Sequence, residues 1–82
     1  MIYVVEVKVM PLKELLDPQG KTVRGSLENL GIVNISDVRI GKNIMLSVEA
    51  DSVEEATQIA EQSSQKLLAN QVMEYFEVVV HP

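Results

Sequence analysis

An α+β fold, with two helices packed on an antiparallel sheet in the order β-α-β-β-α-β, follows from three observations on this sequence. Residues Ile2 to Met10 alternate with a period of two. Two apolar stripes at helical spacing follow, each introduced by a good N-capping residue, Asp17 and Ser52. Short β-branched runs broken by Gly and Asn fill the remainder. That order makes two similar halves, a ferredoxin-like arrangement. With no linker and no low-complexity tract, residues 1–82 read as one domain.

In the first run Tyr3, Val5, Val7 and Val9 fall on one side, and Val4, Glu6, Lys8 and Met10 on the other. A period of two rich in β-branched residues predicts a half-buried strand. Pro11 removes a ladder donor and ends it. Leu12 to Leu16 connect to Asp17-Pro18, where Asp caps and Pro is preorganised for the first helical position. Val23, Leu27 and Leu30 continue at spacings of four and three, one stripe of a helix over Pro18 to Leu30. Gly31 supplies the left-handed position that closes it.

Val33, Ile35, Val38 and Ile40 precede Gly41-Lys42-Asn43, and Ile44, Leu46 and Val48 follow. Two alternating runs around a Gly/Asn turn predict a β-hairpin. Ser52-Val53-Glu54-Glu55 fits a capping box. It opens a second helix whose apolar face is Ala56, Ile59, Ala60, Ser63 and Leu67. Asn70 is placed to cap it, and a last strand runs from Met73 to Val80.

A chain of 82 residues buries only about 60% of the surface its unfolded form exposes, so its core is marginal. Domains this small usually add disulfides, a metal or a partner. This one has no Cys and a single His, His81, which excludes disulfides and thiolate or imidazole metal clusters. Association with other chains is the remaining remedy. The formal net charge of −5 disfavours nucleic acid and anionic membranes as partners, since phosphate binding needs clustered Lys and Arg. The first strand is too short and too charged for a signal peptide or membrane span, and the expected location is the cytoplasm.

No catalytic constellation emerges. A nucleophilic triad needs a base beside its nucleophile, and His81 stands next to the terminal Pro82, where chains fray. Glu54-Glu55 complement the dipole at a helix start. Gly20-Lys21-Thr22 lacks the earlier glycine of a phosphate-binding loop, and Asp17 brings negative charge to that same helix end. Gly20 instead predicts close approach of another backbone. Arg39 and Lys42 read either as solvated cations at a hairpin turn or as contacts for an acidic partner. Copper chaperones would need paired cysteines, RNA-recognition domains more aromatics and a basic groove. Acylphosphatase-like enzymes would need an Arg in a glycine-rich loop where Met10-Pro11-Leu12-Lys13-Glu14 stands.

Two runs remain: Leu16-Asp17-Pro18-Gln19-Gly20 and Asp37-Val38-Arg39-Ile40-Gly41-Lys42. With the Val-rich first strand, Ser26-Leu27, Leu30-Gly31 and Tyr75-Phe76-Glu77-Val78, they make the chain resemble the PurS family over essentially its whole length. PurS is the small subunit of phosphoribosylformylglycinamidine synthase (EC 6.3.5.3). The resemblance implies a non-catalytic subunit in de novo purine (IMP) biosynthesis. It would bridge a synthetase subunit (PurL) and a glutaminase subunit (PurQ), which convert formylglycinamide ribonucleotide to the amidine with ATP and glutamine-derived ammonia. The marginal core without a staple adds the expectation of a homodimer or tetramer formed through strand exchange or edge pairing. The resemblance implies no cofactor in this chain, ATP and Mg being used by the synthetase subunit. Asp17, Gln19, Gly20, Arg39, Gly41 and Lys42 match the family motifs and are the expected partner-interface residues. The alternative is a regulatory module resembling ACT domains, whose glycine-rich turn after the first strand is missing here.

Overall fold

The period-two strand forms as the pattern dictates. In a computed structural model that describes all residues from Met1 to Pro82, β1 spans Ile2–Pro11 and is the centre of the sheet. On one side it pairs antiparallel with β2 (Lys42–Glu49), Val5 opposite Leu46. On the other it pairs antiparallel with β3 (Glu74–His81), Val7 opposite Val78. Val5, Val7 and Val9 are fully buried, as one alternating face should be. The helix α2 (Val53–Ser63) lies over that face, placing Ala56 and Ala60 against Val5 and Val48.

Both helix starts carry the caps that the sequence indicates, but of the capping box only the Ser52 half forms, with no bond from the Ser52 amide to the Glu55 carboxylate. Asp17 caps α1 (Pro18–Asn29) through the Gly20 amide, and the Ser52 hydroxyl caps α2 through the Glu55 amide at 3.1 Å. Gly31 has φ 87°, the left-handed position predicted for it. Its amide bonds to the Glu28 carbonyl and that of Ile32 to the Leu27 carbonyl, closing α1 with a Schellman motif.

The end of α2 departs from simple helical spacing. Ser64–Leu68 form one wider π turn, sealed by the Ala69 amide on the Ser64 carbonyl. The extra residue rotates the stripe, so Leu67, expected on the buried face, is exposed. Leu68 and Ala69 pack against Val7 and Val9 in its place. Asn70 lies beyond the helix and opens the turn into β3, its carbonyl accepting from Met73 and Glu74.

The larger difference lies before β2. The predicted hairpin does not form within the chain. Such turns need positive φ, and Gly31 is the only residue that has it. Residues 32–41 instead run extended into β2, and no backbone amide from Val33 to Arg39 finds a backbone partner. This arm takes the place of the second β segment in the β-α-β-β-α-β order, while the sheet of one chain holds three strands, β2-β1-β3. The outer edge of β2 is left open.

The arm returns along α1, tied to it by the Arg24 side chain donating to the Ile35 carbonyl at 3.0 Å. Together they form a finger that projects past the sheet, and α1 does not pack on its own sheet as the stripe predicted. The molecule accordingly measures 51 × 26 × 14 Å, with a radius of gyration of 16.1 Å. A compact chain of this length would give about 12 Å. Leu30 is 76% and Val33 70% exposed on the finger. No helix is long and apolar enough to cross a membrane.

Candidate functional site

The two sequence motifs meet at the base of the finger. As N-cap, Asp17 holds an extended backbone (φ −111°, ψ 93°), which frees its carboxylate to face two amides. One oxygen accepts from Gly20 at 3.0 Å, and the other accepts from Ile40 of the arm at 2.7 Å. The Ile40 amide, then the Gly20 amide, hold this carboxyl below the usual carboxylate range, with the nearby Arg39 charge acting in the same direction.

Arg39 points to the opposite strand exit. Its guanidinium donates to the carbonyls of Pro11 (3.1 Å), Leu12 and Lys13 (3.2 Å), with Leu15 at 3.5 Å. The connection after β1 therefore wraps around one cation, and Arg39 is half-buried rather than a solvated turn residue. A planar group with five donors suits such a ring of acceptors, where an ammonium would reach fewer.

The glycines permit these contacts. A Cβ on Gly20 would run into the Val38 carbonyl, which is the close backbone approach predicted for it. One on Gly41 would meet the Val9 carbonyl and the Met10 sulfur. Lys42, at the start of β2, donates to the Leu68 carbonyl at 3.3 Å and lies 3.7 Å from Glu74. Gln19 is exposed and makes no side-chain hydrogen bond within the chain. It borders a groove of about 570 Å³ with Leu16, Pro18, Ile40, Asn70 and Met73. All six predicted site residues thus lie where the finger joins the sheet, and five of them are engaged inside the chain.

A second polar cluster was not foreseen. On the sheet face away from α2, Glu6 accepts from Asn43 at 2.8 Å and lies 2.8 Å from His81 Nε2. These contacts link β1 to both neighbours. The His81 bond first, then the Asn43 bond, lower the Glu6 pKa. His81 is therefore held in β3 and not on a frayed end. The only signal in the sequence was a Glu interrupting the outward side of a Val-rich strand.

This geometry has known counterparts. The profile of the family described as "PurS: Phosphoribosylformylglycinamidine (FGAM) synthase" matches residues 4–82. The PurS subunit of phosphoribosylformylglycinamidine synthase from Mycobacterium leprae is 47% identical over 70 residues, covering 83% of this chain and 82% of that protein. PurLQS from Thermotoga maritima contains a chain that superposes with TM-score 0.91 at 30% identity, covering 99% of each. Methanocaldococcus jannaschii PurS, one of the subunits of formylglycinamide ribonucleotide amidotransferase, superposes with TM-score 0.86 at 30% identity, covering 96% of this chain and 95% of that one.

Proposed function

The chain belongs to the PurS family of phosphoribosylformylglycinamidine synthase subunits, and on that premise we propose that it is a non-catalytic assembly subunit working as a homodimer. Two copies exchange fingers. The arm of each pairs with the open β2 edge of the other, and each α1 lays its apolar stripe on the partner's sheet beside α2. The dimer then bridges the synthetase and glutaminase subunits and helps keep ammonia in a protected passage. ATP and Mg belong to the synthetase subunit, and the complex works in the cytoplasm.

One observation carries this reading: an extended arm without backbone partners runs out of a strand whose outer edge is open. Both are main-chain groups that pair in folded proteins, and open edges are liabilities that proteins cover. The relative in PurLQS supports the larger assembly. The test is glutamine-dependent amidine formation by the synthetase and glutaminase subunits, with and without this chain. Activity that appears only on its addition is expected. Unchanged activity with authentic partners and a folded sample overturns the proposal.

A further inference from the structure

The contacts at the base of the finger have a property that local capping does not require: they exist only while the arm points away from its own sheet. Loop 12–17 leaves the sheet from the end of β1, and residues 38–40 leave beside it from the start of β2. Arg39 and Asp17 stitch these two exits together through the carbonyls of Pro11 to Leu15 and the Ile40 amide. If the arm folded back as a hairpin, a two-residue turn at Gly41-Lys42 would set Ile40 opposite Asn43 on the outer side of β2. β1 and its following loop lie on the inner side. Arg39 and Ile40 would then have to leave the loop, and every one of these bonds would break.

The turn residues themselves do not favour one state. Gly41 tolerates the positive φ that the first position of such a turn demands, yet does not adopt it here. Gly41 is also the residue whose missing Cβ lets the exit pass the Val9 carbonyl and the Met10 sulfur. The same segment can therefore close or open, and the charged hydrogen bonds at its base exist in one state only. Resting on the dimer reading above, we propose that Arg39 and Asp17 form a latch that holds the arm open, so that the chain completes its sheet with a second copy instead of with itself. Arg39 is here a positioning residue. It need not touch the partner; it fixes the direction in which the arm leaves.

The latch is tested by the molar mass of the full chain across a dilution series, measured by light scattering, with circular dichroism to verify folding. The wild type, Arg39→Ala, Asp17→Asn, and the double change Gly41→Asn with Lys42→Gly are compared. The last installs a favourable hairpin turn and places a Cβ where the open exit has no room, while leaving Arg39 and Asp17 in place. A dimeric wild type is expected, with each variant folded and the dimers of Arg39→Ala and Asp17→Asn weakened roughly tenfold to a hundredfold, the scale of lost charge-assisted bonds. The turn-installing variant is expected to be weakened as well. A wild type that is monomeric throughout overturns the dimer reading itself. A dimeric wild type with folded variants of unchanged dissociation constant overturns the latch alone. If Arg39→Ala and Asp17→Asn do not fold, Arg39→Lys decides, because an ammonium reaches fewer of the carbonyls: a folded chain with a weakened dimer supports the latch, and an unweakened dimer overturns it.

Discussion

The carboxylate of Asp17 and the amide of Ile40, 23 positions apart in sequence, are joined by a 2.7 Å hydrogen bond. One side chain thereby caps a helix and fixes the strand that returns beside it. Because both bonds go to the ionised form, Asp17 titrates below its ordinary value. The same holds for Glu6 with His81 and Asn43. A carboxyl with a lowered folded-state pKa adds stability that is fully present above the unfolded value of about 4 and is lost as pH falls through the folded value. Denaturant unfolding from pH 7 to pH 2 is expected to show stability level above that range and declining below it. Asp17→Asn and Glu6→Gln should each flatten the acid limb, and an unchanged limb in both would refute the assignment.

Gly20 and Gly25 give a paired prediction. Both are in α1, where Ala is favoured over Gly by about 1 kcal/mol. Gly25 has nothing within 4 Å of where its Cβ would sit, so Gly25→Ala should stabilise by about 0.5–1 kcal/mol. At Gly20 the Val38 carbonyl occupies that space, so Gly20→Ala should destabilise by about 1–3 kcal/mol. Chemical denaturation of the two variants at equal protein concentration tests the difference in sign.

Helix capping and surface pairing should separate clearly. Ser52→Ala removes the bond to the Glu55 amide and is expected to cost about 1 kcal/mol. Lys42→Ala removes an ion pair between an exposed ammonium and the half-buried Glu74 carboxylate and is expected to cost at most about 1 kcal/mol. Thermal unfolding midpoints of both variants beside wild type give the comparison. A larger loss for Lys42→Ala than for Ser52→Ala would show that the Leu68 contact matters more than its exposure implies.

The arm should report its own pairing by amide hydrogen exchange. In the isolated chain Val33 to Arg39 have no backbone acceptors, and their exchange should be fast, while β1 is protected from both sides. Raising the protein concentration into the dimeric range should slow exchange over that segment and along the outer edge of β2. Protection of β1 that changes while the arm stays fast would place the dimer contact elsewhere.

Sequence by itself determined what depends on neighbours a few residues apart. Alternation put Val5, Val7 and Val9 inside, Asp17-Pro18 and Gly31 set the limits of α1, and Ser52 started α2, because strand faces and caps are local geometry. Its two motifs also carried the family. Tertiary structure decided the rest. Gly41-Lys42-Asn43 permits a turn without obliging one, so opening the hairpin was settled by where Arg39 and Ile40 found partners at the far end of β1. The π turn at Ser64 exchanged Leu67 for Leu68 because Ala69 packs beneath Val7 and Val9. Glu6 found His81 across 75 positions. Each outcome rests on contacts between distant residues, and periodicity along one segment holds no record of them.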